Sequence, residues 1–367
     1  MLKVSRKTAT LRDVAALAGM DKATASRALN GKGYISSETR DAAFKAAQEL
    51  GYQPDLYAQR LKGGPSHNTI ALLAESDLGV LTQQTSFINH RLDEMGSEVQ
   101  VHNVPHYVSH LEEKQVALVN RVRRQRPGAI ICAASLVPAA FHELKLFMEE
   151  GGVVVGCGEK IDMECDQVIF DTQRRAYLAA QHLLELGHRE IGFCVHNEFH
   201  QDAIDLSGFS HAMEEYGAPI QKDWIFGGGN YEEGGGRLAE AYFDWPKKPT
   251  GLCIVNDVSA SAFVTVMCRN GVNVPGDVSV VGFDDALAAR YAFVPLTSAN
   301  YPLEAIGQNV AEFAQSRLEG YSGPPRTVVV QSEIITRSST APYGPKGGLR
   351  TRMPSTLLSN RVLTTAR

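Results

Sequence analysis

Several kinds of segment are missing from this 367-residue chain, and each absence removes a class of function. No apolar run approaches the ~18 residues that a membrane-spanning helix needs, and no charged-then-apolar leader opens the chain. The expectation is a soluble, cytoplasmic protein with no membrane partner. The six cysteines (Cys132, Cys157, Cys165, Cys194, Cys253 and Cys268) form no C-x-x-C pair, and several sit inside apolar runs such as GAIICAA and GLCIVND. That usage points to buried, reduced thiols rather than to disulfides or a zinc site. Neither G-x-S-x-G nor H-E-x-x-H occurs, so two common hydrolase signatures are excluded. His102, His106 and His110 recur at four-residue intervals, but Pro105 interrupts the helix that a metal site of that spacing requires. They are expected as surface histidines around a loop. No catalytic residue, metal ligand or cofactor is expected, and the chain does not read as an enzyme.

Basic residues are outnumbered, 36 Lys/Arg against 41 Asp/Glu, but unevenly placed. Residues 1–62 hold 11 basic and six acidic side chains, and residues 341–367 hold five basic ones and no acid, so the middle carries −15. A basic head on an acidic body suits a protein that meets phosphates at one end only.

The head is TLRDVAALAGMDKATASRALNGKG, Thr10–Gly33. Thr10 is placed to cap a first helix, with Asp13 completing a capping box, and Val14, Ala15 and Ala18 give it a small apolar face. Gly19-Met20-Asp21 breaks the run. Asp21 is placed to accept the orphan N–H groups of a second helix reaching about Leu29, which Asn30-Gly31 ends. Eight residues make a helix about 12 Å long, close to the width of the DNA major groove at about 12 Å. A third helix, capped by Ser36 or Ser37, repeats Ala43, Ala47 and Leu50 at helical spacing. This is a helix-turn-helix that presents its second helix to DNA. Beyond Pro54 a short helix, LYAQRLK, precedes the Gly63-Gly64-Pro65 break; seven residues do not hold a helix in water without packing.

From Thr69 onward nine β-rich runs alternate with amphipathic stretches: TIALLAES, EVQVHNV, GAIICAA, GVVVGCG, QVIFD, EIGFCVH, GLCIVND, VSVVGFDD and RTVVVQSEI. Such alternation makes the region α/β with parallel sheets buried on both faces. Ligands of doubly wound sheets gather at the carboxyl ends of strands, where Glu75, Ser76, Asp77, Asn256, Asp257, Asp284 and Asp285 stand. The run GGGNYEEGGG lacks the G-K-[ST] ending of a phosphate loop and reads instead as a loop carrying Tyr231 and opening a helix. Residues 341–367 lack periodicity. They are either a solvated tail or a source of non-specific DNA affinity through Arg350, Arg352, Arg361 and Arg367.

The run LRDVAALAGMDKATASRALNGKGYISSETRDAAFKAAQELGYQPDLYAQRLK resembles the N-terminus of the lactose/galactose-repressor (LacI/GalR) family almost position for position. The A-T-x-S-R-x-L-N core, the E-T-R opening of helix three, L-G-Y-x-P and A-x-x-L-K carry the likeness; Ala25 departs from the family's usual Val. Further on, Gly187–Gly192, Val274–Asp285 and Ala289–Tyr291 extend it. The resemblance implies an all-α helix-turn-helix head (1–53), a hinge helix and linker (54–66), a core (67–340) and a basic tail (341–367). The core would be α/β and periplasmic-binding-protein-like, with two doubly wound subdomains. The first would take about Asn68–Gln167 plus a return near Ser298–Gly320, and the second about Val168–Thr297 plus the final strands.

Functionally, the resemblance implies a transcriptional regulator, usually a repressor, that binds a near-palindromic DNA operator as a homodimer or tetramer under control of a small effector. Lys22, Ala23 and Arg27 fall at base-reading positions, with Thr24, Ser26 and Asn30 holding phosphates or helix register. Tyr57, Ala58, Leu61 and Lys62 fall in the hinge helix, whose Leu61 would wedge into the minor groove; a plain interdomain linker is the alternative. Asp77, Leu81, Gln83, Asp205, Tyr231, Asn256 and Asp284 fall at effector positions. Two departures stand out: Asp205 replaces the arginine of the family's R-x-x-G-[FWY] signature, and Gly156, beside Cys157, replaces an aspartate. Exchanging a guanidinium for a carboxylate turns a donor into an acceptor. A donor-rich or cationic effector is therefore expected rather than a sugar phosphate, or a regulator that has lost small-molecule control. The rival reading is a ligand-binding protein with a vestigial head.

Overall fold

The structure, a computed structural model, describes residues 10–29, 35–50, 66–75, 79–106, 108–195, 200–229 and 231–344. It divides into two units, Met1–Ser66 and His67–Arg367.

In the first unit α1 (Leu11–Leu17), α2 (Lys22–Leu29) and α3 (Ser37–Leu50) enclose a core of small side chains. Both halves of the capping box form: Asp13 N donates to Thr10 Oγ1 at 3.4 Å, and Thr10 N to Asp13 Oδ2 at 2.8 Å. The turn runs through Gly19 at φ +64°, a left-handed conformation that glycine adopts without steric cost. Asp21 Oδ1 then accepts from the N–H groups of Ala23 at 2.8 Å and Thr24 at 2.9 Å, capping α2. Of Ser36 and Ser37, Ser36 does the capping, with Thr39 N donating to its Oγ at 3.3 Å, and Ser37 is the first residue of α3. Val14, Ala15, Ala25, Ala28, Ala43 and Ala46 are buried. The buried stripe of α3 is thus narrower than expected: Ala47 is half-buried and Leu50 is 37% exposed. α1 and α2 offer α3 little more than alanine-sized surface, so one short row suffices.

The second unit is built on two six-stranded sheets. Its first stretch runs β1 (Ser66–Ala74), α4 (Val80–Glu94), β2 (Glu98–Asn103), α5 (Leu111–Arg124), β3 (Pro127–Ala133), α6 (Pro138–Glu149), β4 (Val153–Gly158) and β5 (Asp166–Phe170). There follow α7 (Thr172–Glu185), β6 (Ile191–Val195), α8 (His200–Glu215), β7 (Ile225–Gly227), α9 (Tyr231–Asp244), β8 (Gly251–Ile254) and α10 (Asp257–Arg269). The chain ends its described part with β9 (Ser279–Asp284), α11 (Leu287–Tyr291), β10 (Thr297–Asn300), α12 (Leu303–Leu318), β11 (Thr327–Val330) and β12 (Ile334–Ile335). The first sheet has the order β11-β5-β4-β3-β1-β2 and the second β12-β10-β9-β8-β6-β7. The pairs β1–β2, β3–β4, β4–β5 and β5–β11 of the first sheet and β6–β7, β6–β8, β8–β9 and β9–β10 of the second are parallel, and β10 meets β12 antiparallel. β3 and β9 are buried along their whole length, as strands covered by helices on both faces must be.

The chain passes between lobes after β5, after β10 and after β11, and this moves two expected boundaries. β5 lies wholly in the first sheet, and β10 belongs to the second. The run RTVVVQSEI is not one strand, because β11 returns to the first sheet and β12 to the second. β7 and β10 stand outside the nine apolar runs. β10 is the sequence TSAN, whose Thr297 and Ser298 are fully buried but hydroxyl-satisfied: Thr297 Oγ1 lies 2.9 Å from Thr340 Oγ1, and Ser298 Oγ donates to Asp257 Oδ1 at 2.8 Å. Paired hydroxyls let a polar strand occupy a core that hydropathy would deny it.

Where α12 and β11 return to the first sheet, Asp166 at the start of β5 receives Arg317 at 2.8 Å and Arg326 at 2.6 Å. Burial alone would raise this carboxyl's pKa, but the two guanidinium groups outweigh it and bring it down to about 2. No helix among the described residues is long and apolar enough to cross a membrane.

Candidate functional site

In the first unit, α2 turns Ala25 and Ala28 inward and leaves Lys22, Ala23 and Arg27 exposed, with Thr24 and Ser26 half-buried between them. The Arg27 side chain lies along its own helix: Nη2 is 3.4 Å from Thr24 Oγ1, and the Thr24 hydroxyl donates to Asp21 Oδ2 at 2.6 Å. The Thr24 hydroxyl and backbone N–H hold the Asp21 carboxyl below its ordinary pKa. The helix therefore offers flexible cations and one methyl on a common face, and its capping carboxylate is held by its own first turn. Asn30, Tyr57, Ala58, Leu61 and Lys62 lie outside the described residues.

In the second unit, the strand ends gather polar groups on strained backbone. Asn256, Asp284 and Asp285 have φ of +66°, +101° and +53°, values that non-glycine residues hold only where the surroundings enforce them. Asp284 closes β9, and its carboxylate accepts from Arg175 Nη1 at 2.9 Å. Arg175 reaches it from the first turn of α7, and its Nη2 also meets Asp205 Oδ2 at 3.3 Å. Asp205 comes from α8, which can approach α7 because Gly208 has no side chain: a Cβ there would stand 2.0 Å from the Gln173 carbonyl oxygen. Burial opposes the charge on Arg175, but Asp205 and Asp284 outweigh it and raise its pKa further. Asp257, behind Asp284, accepts from Ser298 Oγ and from Ala286 N, each at 2.8 Å. Its burial, together with the neighbouring Asp284 charge, pushes its pKa well up.

Asp205 is therefore not the bare carboxylate that its place in the sequence suggests. Asp205 is paired to a guanidinium that arrives from α7 instead. At the second departure, Cys157 Sγ accepts from Gln84 Nε2 at 3.2 Å, and Gln84 Oε1 accepts from the Tyr301 hydroxyl at 2.8 Å. Burial pushes the Cys157 thiol up to about 12, so it stays protonated and unreactive.

Among the other expected effector residues, Leu81 and Gln83 are half-buried at the start of α4. Tyr231 opens α9, with its ring edge 3.8 Å from where a Cβ on Gly79 would stand. Asn256 caps α10, its Oδ1 accepting from Ser259 N at 2.8 Å. Asp77 and Ser76 lie outside the described residues. Glu75 accepts from the Ser135 N–H at 2.9 Å and faces His106 Nε2 at 3.0 Å. His106 is thus not a surface group; its side chain is 15% exposed. Burial would raise the Glu75 pKa, but the His106 and Ser135 hydrogen bonds outweigh it and lower it.

The glycine run has a packing role. A Cβ on Gly235 would stand 2.2 Å from Ser259 O of α10, and one on Gly234 2.2 Å from Gly229 O. Sequence reasoning missed Arg175, Gln84 and Tyr301. Their partners lie between 30 and 217 residues away along the chain, and no local spacing announces them.

Comparisons with known proteins bear on both units. The family description "Bacterial regulatory proteins, lacI family" matches residues 10–55, and "Periplasmic binding protein-like domain" matches residues 180–340. The chain is 29% identical over 339 residues to the HTH-type transcriptional repressor PurR of Vibrio parahaemolyticus, covering 90% of this chain and 98% of that one. It is 27% identical over 334 residues to the repressor of the same name from Shigella dysenteriae, covering 91% and 97%. Among solved structures, the lac repressor dimer bound to operator and the anti-inducer ONPF superposes with a TM-score of 0.79 at 23% identity, covering 91% of this chain and all of that one. The complex of the transcriptional regulator CelR with cellobiose gives 0.65 at 24%, covering 90% and 99%.

Proposed function

Because this chain belongs to the lacI family of bacterial regulatory proteins, we propose that it is a transcriptional repressor that recognises a near-palindromic DNA operator as a homodimer and answers to a small polar effector. The observation that carries this is α2, a capped helix about 12 Å long whose exposed row is Lys22, Ala23 and Arg27, on a unit too small for another task. Arg27 reads a base edge and Lys22 a base or phosphate, while Thr24 and Ser26 hold the register. Asn30 serves beside them, and Tyr57, Ala58, Leu61 and Lys62 form the hinge contact. Residues 1–53 read DNA, 54–66 connect, 67–340 form the effector core, and 341–367 follow as a basic tail. The named relatives are repressors, and we assign this chain no catalytic role and a place in the cytoplasm, where its DNA is.

The dimer face is the one that leaves Leu287 and Tyr291 of α11, and Phe293 just after it, at 59%, 83% and 81% exposure. Three large apolar side chains in water within seven positions mark a contact surface, and a two-fold dimer of identical faces sets two heads on a palindrome. The effector enters between the carboxyl ends of the two sheets, and we assign its contacts to Leu81, Gln83, Tyr231 and Asn256 together with the Asp205–Arg175–Asp284 cluster, and to Asp77 on the sequence alone. Neutral polar molecules suit this edge better than phosphate monoesters, since two carboxylates share one guanidinium. The test is selection of duplexes from a random pool by the full chain, followed by footprinting. Enrichment of a two-fold symmetric sequence with two protected half-sites is expected; enrichment of none overturns the reading.

A further inference from the structure

In ordinary ion pairs on α/β folds, a cation meets one acid at the surface. Arg175 does something else. Its side chain is 7% exposed, its two terminal nitrogens divide between Asp205 and Asp284, and its Cζ lies 5.2 Å from the centroid of the Phe170 ring and 5.0 Å from that of Phe283. Tyr301 backs Phe170 at 4.3 Å. A forked cation between two carboxylates and two aromatic faces is how a binding site holds a guanidinium or amidinium ligand. The third nitrogen, Nε, is enclosed, and its N–H has no partner among the described residues. Side chains selected only to brace a fold leave few such donors unmet. Both acids also stand at positions where the lacI resemblance places effector contacts.

We propose that the guanidinium of Arg175 is a tethered ligand filling the inner subsite of the effector cleft, between Asp205 and Asp284. The space it leaves on truncation is then a binding site for a free alkylguanidinium cation, and the native chain takes its effector only in the outer cleft beside Tyr231. The inference rests on the cleft being the effector cleft. It explains how one chain carries Asp205 at that position without a bare acid pair: the missing cation is covalently supplied from α7.

The experiment is thermal unfolding of the full chain and of Arg175→Ala, with and without 20 mM N-ethylguanidinium, against ethylammonium and urea as controls. Arg175→Ala is expected to melt several degrees below the parent. N-ethylguanidinium should raise the variant by about 3 °C or more while leaving the parent and Arg175→Lys unmoved, and neither control should match it. Equal shifts in parent and variant, no shift in the variant, or an equal response to ethylammonium would overturn the proposal. Where Arg175→Ala does not fold alone, refolding to a soluble dimer only in N-ethylguanidinium supports it, and no recovery overturns it. Palindrome selection by the parent is run alongside. Rescue without palindrome preference sinks the regulator reading and leaves the subsite standing, and preference without rescue does the reverse.

Discussion

Replacing Asp166 by Asn removes the charge that ties α12 and β11 to the first sheet and keeps the volume. The parent carboxyl sits at about 2 against 3.8 when unperturbed, which converts to about 2 kcal/mol at neutral pH. Its side chain has no exposed surface, whereas Arg317 and Arg326 are 18% and 26% exposed. Both arginines regain some water when the acid goes, so the loss should be about 2–3 kcal/mol rather than the ~3–5 of a fully enclosed pair. The sign with pH is fixed by a depressed folded-state value. The stabilisation is complete above the unfolded pKa of about 4 and is lost as pH falls through about 2; roughly half is gone by pH 3. Urea unfolding of both proteins at pH 7, 5, 4 and 3 reads this directly. The gap in stability should hold from pH 7 to 5 and close by about half at pH 3. A variant as stable as the parent at pH 7, or a gap that does not change with acid, refutes the clamp.

Arg27→Ala should cost about 1–3 kcal/mol of discrimination at one base position in each half-site, seen as a flattened column in a selection profile; a profile left intact rejects Arg27 as a base reader. Gly208→Ala forces a methyl against the Gln173 carbonyl and should destabilise the second unit by about 3 kcal/mol, measured as a lowered denaturant midpoint. Unchanged stability there would mean that α7 and α8 are not in contact at Gly208. Tyr291→Asp with Phe293→Asp should yield monomers in sedimentation and reduce operator affinity to that of a half-site, and a persistent dimer would move the interface elsewhere.

What the sequence announces is what its neighbours in sequence determine. The caps at Thr10 and Asp21 close within three residues, so residue type and spacing locate both helix starts. The apolar strands β3, β4, β8 and β9 are buried on both faces and show as unbroken hydrophobic runs. β10 does not, because its burial depends on hydroxyl partners 41 and 43 positions away. The first and second sheets exchange β5, β10, β11 and β12 through packing that no periodicity records. In the cleft, Asp205 and Asp284 were legible as acids at ligand positions, but their meaning was not. Arg175 lies 30 residues from one and 109 from the other, and it offsets the charge that Asp205 alone would bring. The burial of His106 was hidden for the same reason, since its partner Glu75 lies 31 residues earlier, just past the end of β1.

The most direct test of DNA reading is the ratio of affinities of the full-length dimer for its selected near-palindrome and for random duplex of equal length, taken at ~0.15 M salt, where exposed phosphate attraction is screened. A sequence-reading repressor gives a ratio of about 10³ or more. A ratio near one would contradict it.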